Sequence, residues 1–150
     1  MGFHGKDLRR GRHSVPGQIY FVTSVTHQRE KLFSQWDGAL AVAREIHLVA
    51  RLTSSRIHAW VLMPDHLHCL IELGDLNLDQ CMQQLKSRTA IALNRSTGRS
   101  GTVWQSGYHD HALRRDEDLK AAARYLVANP LRAGLVRSLR DYPFWNAVWL

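Results

Sequence analysis

The chain has 150 residues, of which 45% are hydrophobic and 22% are charged, with only 10 Gly and 4 Pro. This length suits about one domain, and the composition excludes a disordered linker or a collagen-like rod. The 20 Lys and Arg against 13 Asp and Glu give a formal net charge of +7, which favours a polyanionic partner such as nucleic acid. A basic composition without a binding role is the alternative. We expect residues 1–150 to form a single domain.

Two other classes of protein are disfavoured by simple counts. No run approaches the roughly 18 consecutive apolar residues of a membrane span, and the first residues carry no secretory cleavage pattern. Cys69 and Cys81 form no CxxC pair, so neither a disulfide framework nor a thiolate zinc site is expected. We therefore predict a cytoplasmic, nucleoid-associated protein without membrane contact.

The first half of the chain alternates strand and helix patterns. Residues 18–26 are rich in β-branched and aromatic side chains and predict a first strand. Apolar residues then recur with helical spacing over 36–50. Two strand-like runs at 57–63 and 66–73 are separated by only two residues, which predicts an antiparallel hairpin, and a second helical pattern covers 78–93.

The second half adds one strand and one helix. Residues 103–113 mix aromatic and polar side chains and predict a fourth strand. A helix is predicted over 116–126 and ends before Asn129 and Pro130, because the residue that precedes a proline is biased away from helical backbone. The order β-α-β-β-α-β is typical of a ferredoxin-like α+β fold with an antiparallel sheet, both helices on one face and the other face free. The added C-terminal helix carries Tyr125.

The two ends of the chain differ in character. Residues 1–15 are basic and are predicted to be a flexible arm, whereas residues 137–150 are predicted to be a C-terminal tail. Trp145 and Trp149 in this tail are interpreted as packing anchors that fix it to the domain.

Two pairs of residues could carry chemistry. His66 and His68 lie two apart in a predicted strand, so both side chains project from one face and could hold a divalent metal ion. A hydrogen-bonded histidine pair is the alternative, since metal sites normally need a third ligand. Tyr125 and Asn129 lie four apart on the last helix and would share a face as nucleophile and third ligand. A packing aromatic followed by a helix terminator is the alternative there.

A second histidine pair creates a rival interpretation. His109 and His111 lie in the predicted fourth strand, and a two-metal hydrolase could use all four histidines. Few carboxylates are available to bridge two metals in this region. We therefore interpret His109 and His111 as residues that face a substrate or serve the structure.

Five separated segments carry a family resemblance. The histidine pair lies in MPDHLHCLIEL, which resembles the HUH motif, and RYLVANPLRAGLV resembles the tyrosine segment of single-tyrosine HUH transposases. The segments PGQIYFVTSVTHQREKLF, VWQSGYHDHALR and DYPFWNAVWL complete the pattern over residues 16–150. The chain resembles the REP-associated tyrosine transposases, whose fold agrees with the strand and helix order above.

The resemblance implies an activity and a site. Tyr125 would attack a DNA phosphodiester and become linked to the 5′ phosphate, while a free 3′ hydroxyl is released. His66, His68 and Asn129 would hold a divalent ion, Mg²⁺ or Mn²⁺; many insertion-sequence relatives have Gln where Asn129 lies. The partner would be single-stranded DNA with hairpins of the repetitive extragenic palindrome type, bound by a monomer or a dimer.

Basic and aromatic residues are candidates for DNA contact. Stacking and phosphate binding could be supplied by the free sheet face, by the basic arm, and by charged residues near the second helix and fourth strand. The candidates are Arg9, Arg10, Arg12, Lys86, Arg88, Trp104, Tyr108, His109, His111, Arg114 and Arg115.

Two alternatives to the strand-transfer reaction stay open at this point. The same fold could bind and regulate hairpins with little turnover, or it could hydrolyse DNA with a metal-bound water and involve His109 and His111. The second alternative would leave no covalent adduct and would not need Tyr125.

Overall fold

A computed structural model describes residues 15–114 and 116–147. Five strands and four helices are present in this part of the chain, with short 3₁₀ turns at His27–Arg29 and Leu139–Asp141. The described helices include none that is both long enough and apolar enough to cross a membrane. The strands are β1 (Ile19–Val25), β2 (Arg56–Met63), β3 (His66–Glu72), β4 (His109–Ala112) and β5 (Trp145–Ala147), and the helices are α1 (Trp36–Leu52), α2 (Leu78–Thr97), α3 (Asp116–Val127) and α4 (Asn129–Arg132).

The strands form one antiparallel sheet in the order β4-β1-β3-β2-β5. Its first four strands have the order expected of a split β-α-β arrangement, so the predicted α+β, ferredoxin-like fold is confirmed. The fifth strand was not predicted. It belongs to the C-terminal tail and pairs with β2, where Trp145 lies opposite Val61.

Helices α1 and α2 cover one face of the sheet, as predicted. Their apolar stripes pack against side chains such as Val22 and Cys69, which point to this face of the strands. Helix α2 begins with a capping box in which Asn77 and Gln80 bind each other's backbone N–H groups. It ends at Gly98, whose φ of 69° is the left-handed conformation that glycine adopts without strain.

The opposite face of the sheet is not free, and that prediction was wrong. Helix α3 packs on the half of this face formed by β2, β3 and β5, with Leu126 and Val127 against Val61, Met63 and Leu70. Strand β2 is consequently buried on both faces over its last six residues. Its unbroken apolar run is typical of a strand with both faces covered. Among the described residues, no helix covers the half formed by β1 and β4.

The predicted fourth strand and the predicted end of α3 both need correction. Strand β4 has only four residues, because the chain turns at Gly107 with a φ of 77°, and Trp104 makes a single isolated bridge to Thr26. The helical path is interrupted at Ala128 and resumes directly as α4 at Asn129. Pro130 lies in the first turn of α4, where its missing N–H costs no hydrogen bond. Asn129 therefore has helical surroundings, and its carbonyl accepts from the Ala133 N–H.

Candidate active site

The two histidines of β3 lie side by side on the sheet face that carries α3. His66 and His68 have ring centroids 4.7 Å apart. On one side their cross-strand neighbours are Met63 and Val61 of β2, which are buried beneath α3. On the other side His68 lies opposite Thr23 of β1, in the half of the sheet without a helix. The pair thus occupies the boundary between the covered and uncovered halves of this face.

Each histidine ring is oriented by a hydrogen bond at Nδ1. The His66 Nδ1–H donates to Asp65 Oδ1 at 2.7 Å, and His68 Nδ1 is hydrogen-bonded to Thr23 Oγ1, also at 2.7 Å. Asp65 Oδ2 in turn accepts from Arg29 Nη1 at 3.4 Å. Because both described bonds use Nδ1, Nε2 is the nitrogen that each ring can present to a metal ion. Such partners fix the tautomer and direction of metal-binding histidines.

The electrostatics of the pair favour neutral imidazole at His68. Burial, followed by the charges of His66 and Arg132, lowers the pKa of His68 from 6.5 to about 4. Asp65 is affected differently: partial burial opposes ionisation, but the hydrogen bond from His66 and the charges of His66 and Arg29 hold its pKa below the ordinary value. At neutral pH, His68 therefore has an unprotonated nitrogen available as a ligand.

Tyr125 projects from the solvent side of α3. Its side chain is 62% exposed, whereas the next residue, Leu126, is fully buried against the sheet. The Arg132 guanidinium carbon lies 3.8 Å from the centre of the Tyr125 ring. The same Arg132 contributes to the lowered pKa of His68. Arg132 therefore contacts the tyrosine and acts through its charge on one histidine, and His66, His68, Tyr125 and Arg132 are called the tyrosine–histidine cluster below.

The two histidines of this cluster are the residues that could hold a divalent ion, and its other ligands would have to supply oxygen atoms. Within residues 15–114 and 116–147, no three His, Cys, Asp or Glu side chains come together as a metal site. The four histidines of the two HxH pairs are accordingly not assembled into one such site. Asn129 is partly buried at the start of α4, the short helix that carries Arg132. Its amide oxygen is the third ligand that the sequence analysis predicts, one turn from Tyr125.

Two predicted stacking residues are part of the core. Trp104 and Tyr108 are only 6% and 7% exposed. The Trp104 Nε1–H donates to Thr89 Oγ1 at 3.0 Å, and its ring packs on Phe33, while the Tyr108 hydroxyl donates to Asp79. Their interpretation as base-stacking residues is wrong for this structure, because these large rings fill the space between α2 and the sheet.

The predicted basic contacts are scattered. Lys86 Nζ donates to the carbonyls of Gln105 and Gly107, both at 2.6 Å, and Arg88 Nε donates to Glu45 Oε2 at 3.2 Å. Both residues lie on α2, across the sheet from the tyrosine–histidine cluster, so the structure does not bring them to it.

Other candidates lie nearer the cluster or beyond the described chain. By strand register, His109 and His111 share a face with Thr23 and Phe21, in the uncovered half of the sheet, and both histidines are exposed. Arg114 is exposed just after β4. Arg9, Arg10, Arg12 and Arg115 lie outside the described residues.

Sequence reasoning missed Arg132, which is part of the cluster, and two residues that contact its histidines, Asp65 and Thr23. Asp65 directly precedes His66, and its position in the hairpin turn was a usable signal, since metal-binding histidines usually have a carboxylate or carbonyl partner. Thr23 could be found only from the pairing register of β1 with β3. Arg132 follows Tyr125 by seven residues, and the expected end of the helix before Pro130 concealed this two-turn relationship.

Comparison with known proteins identifies relatives over most of the chain. Residues 14–129 match the family described as "Transposase IS200 like". The REP-associated tyrosine transposase of Escherichia coli K12 is 28% identical over 136 residues, and the match covers 89% of this chain and 78% of that one. A relative from Haemophilus influenzae is 30% identical over 149 residues, with 89% of this chain and 81% of that one covered.

A solved structure extends the likeness to three dimensions. A REP-associated tyrosine transposase bound to a REP hairpin superposes with a TM-score of 0.73 at 26% identity, covering 89% of this chain and 79% of that chain. The resemblance inferred from the five sequence segments is therefore confirmed. The family match, the two relatives and the shared fold together show that this chain belongs to the IS200-like transposase family and is a transposase enzyme.

Proposed function

We propose that this transposase cleaves and rejoins single-stranded DNA beside hairpins, through a covalent bond between Tyr125 and a 5′ phosphate. The observation that carries the proposal is the tyrosine–histidine cluster, in which Arg132 contacts the Tyr125 ring and acts electrostatically on His68. Arg132 thus interacts both with the proposed nucleophile and with one of the proposed ligand histidines. The solved relative bound to a REP hairpin supports a hairpin as the substrate feature.

The reaction proceeds by displacement at phosphorus. Tyr125 Oη attacks the phosphate, and the new O–P bond forms as the bond from phosphorus to the 3′ oxygen breaks. The phenol proton is lost to solvent, and the leaving 3′ oxygen takes up a proton from solvent to become a hydroxyl. The exposed position of Tyr125 gives a DNA strand access to its hydroxyl. The covalent product conserves the phosphodiester bond energy, so rejoining to another 3′ hydroxyl needs no nucleotide cofactor.

The histidine pair and Asn129 form the proposed ligand set for a divalent ion. His66 and His68 would bind through Nε2, because Nδ1 of each ring is engaged by Asp65 or Thr23. Asn129 would add an amide oxygen. A bound Mg²⁺ or Mn²⁺ supplies electrophilic activation of the phosphate, which a phenol needs because it is a modest nucleophile at neutral pH. Two imidazoles favour Mn²⁺ by ligand type.

We propose that the single-stranded DNA binds along the uncovered half of the sheet. Phe21, His109 and His111 lie on this half, and Phe21 packs against His68 with ring centroids 5.4 Å apart. Rings on an open sheet provide stacking surfaces for unpaired bases. The net charge of +7 attracts the phosphate backbone to the protein.

The experiment is a denaturing gel of the protein incubated with a labelled single-stranded hairpin from its own genome and Mn²⁺ or Mg²⁺. We expect a protein–DNA adduct that EDTA abolishes and that Tyr125→Phe does not form. Tyr142→Phe is the matched control, since Tyr142 belongs to the C-terminal tail and its loss should leave the adduct intact. Cleavage that survives in Tyr125→Phe would instead show hydrolysis by a metal-bound water. Tight hairpin binding without cleavage would show a regulatory protein.

A further inference from the structure

Arg132 occupies a position that the proposed ligand set and nucleophile do not explain. It is an exposed residue at the end of α4, and the break at Ala128 turns its side chain back over α3. Its guanidinium carbon is 3.8 Å from the centre of the Tyr125 ring. Within residues 15–114 and 116–147, no side chain forms a hydrogen bond or an ion pair with the Arg132 guanidinium. The contact with the Tyr125 ring is therefore the side-chain interaction that holds this group in place.

A guanidinium that stacks on a ring keeps its donors available at its edge. Stacking uses the flat face of the group, whereas the five N–H bonds point outward in its plane. The stacking contact therefore places the guanidinium N–H groups beside Tyr125 and leaves them able to donate to another group. The charge of Arg132 also acts on His68, one of the two proposed metal ligands.

We propose that Arg132 is a catalytic residue that binds the non-bridging oxygens of the phosphate attacked by Tyr125. This inference rests on the proposed role of Tyr125 as the nucleophile. In the displacement, negative charge accumulates on these oxygens as the bond from Oη to phosphorus forms and the bond to the 3′ oxygen breaks. Arg132 donates hydrogen bonds to them and exchanges no proton, so the balance of the step is unchanged. Donors placed at developing charge lower the barrier more than donors that bind the ground state.

The same contact serves the second half of the reaction. After cleavage, the phosphate is a diester that joins Tyr125 to the 5′ end of the DNA and still carries one negative charge. Arg132 holds this phosphate next to the ring while an incoming 3′ hydroxyl attacks. A lysine at position 132 would keep the charge but lose both the planar stack and the paired donors.

The test measures single-turnover adduct formation at saturating hairpin DNA for wild type, Arg132→Ala and Arg132→Lys. We expect the alanine variant to lose about 100-fold or more in the rate at saturation, as for the loss of a donor to a developing oxyanion. The lysine variant should fall between the alanine variant and wild type. Hairpin affinity and melting temperature should remain close to wild type, because the side chain is exposed. Millimolar guanidinium chloride should restore part of the rate to Arg132→Ala.

Arg124→Ala is the matched control. Arg124 is an exposed arginine on the last turn of α3, so its loss removes the same charge from the same region. We expect this variant to form the adduct at the wild-type rate and to gain nothing from guanidinium. An equal loss in the two alanine variants would overturn the proposal in favour of a general charge effect. A defect confined to hairpin affinity, or a wild-type rate in Arg132→Ala, would overturn it as well.

The outcomes separate this inference from the proposed function. Absence of an adduct in wild type would reject the proposed function and the role of Arg132 with it. An adduct in wild type that forms equally well in Arg132→Ala would reject only the role of Arg132. If the alanine variant does not fold, Arg132→Lys decides the question, since a wild-type rate in that variant would show that the guanidinium is not required.

Discussion

The neutral state of His68 makes the stability of the protein depend on pH in a defined direction. Burial, His66 and Arg132 place the pKa of folded His68 at about 4, against 6.5 ordinarily. Between these two values the unfolded chain binds a proton at this position and the folded chain does not. Stability therefore rises with pH across this window and falls as the solution is acidified from 6.5 towards 4.

The size of the effect follows from the two pKa values. One pKa unit corresponds to about 1.4 kcal/mol, so the full difference between 6.5 and about 4 is worth about 3 kcal/mol. By pH 5 the unfolded residue is almost fully protonated, and about 2 kcal/mol of this penalty is already present. Native proteins have a free energy of unfolding of about 5–15 kcal/mol, so a loss of this size is readily measured.

The perturbation is His68→Gln, which removes the titration and keeps a side chain that can bind Thr23. Urea unfolding of both proteins at pH 7 and pH 5, with EDTA present, gives the free energy of unfolding. We expect wild type to lose about 2 kcal/mol more than the variant between these pH values. Val22→Ala, a buried substitution on the opposite sheet face, should lose as much as wild type. Equal losses in wild type and His68→Gln would refute the reasoning.

Three further predictions follow from other contacts. Asp65→Asn should weaken Mn²⁺ binding about 10–100-fold in titration calorimetry, because the His66 ring loses its carboxylate partner. Unchanged Mn²⁺ affinity would show that Asp65 does not orient the His66 ring. Leu126→Ala should lower the free energy of unfolding, measured in urea, by about 2–5 kcal/mol, since this side chain is fully buried between α3 and the sheet. A loss below about 1 kcal/mol would contradict that packing. Truncation after Asp141 should lower the free energy of unfolding by at least about 3 kcal/mol in the same assay and leave hairpin affinity unchanged. The reason is that it removes β5 and the hydrogen bond from the Tyr142 hydroxyl to the Leu62 carbonyl. Lost affinity at unchanged stability would instead assign the tail to DNA binding.

The order of strands and helices could be predicted because local patterns carry it. The hairpin turn, the helical periodicities and the position of His66 and His68 on one face all follow from spacing within short segments. Strand β5 could not be predicted in this way, since three residues have no usable period and pair with β2 only once the sheet exists. The burial of Trp104 likewise depends on the space left between α2 and the sheet.

The site shows the same division between local and tertiary information. Its histidines and tyrosine are visible in the sequence, but Thr23 reaches His68 through a pairing across 45 residues. The packing of α3 on the second sheet face was not predicted, although the continuous apolar run of β2 contained the signal. Arg132 was missed because the Asn129-Pro130 pair suggested a terminus where the chain in fact continues as α4.

The way α3 is anchored limits how far the DNA end of the proposed covalent intermediate can travel. Leu119, Leu126 and Val127 bury one side of this helix in the sheet of the same chain. At about 1.5–3 kcal/mol for each side chain, lifting the helix would expose apolar surface worth at least about 5 kcal/mol. That is comparable to the whole stability of many domains. We therefore expect Tyr125 to stay in place on α3 during the reaction. The second DNA end would then reach it by movement of the nucleic acid.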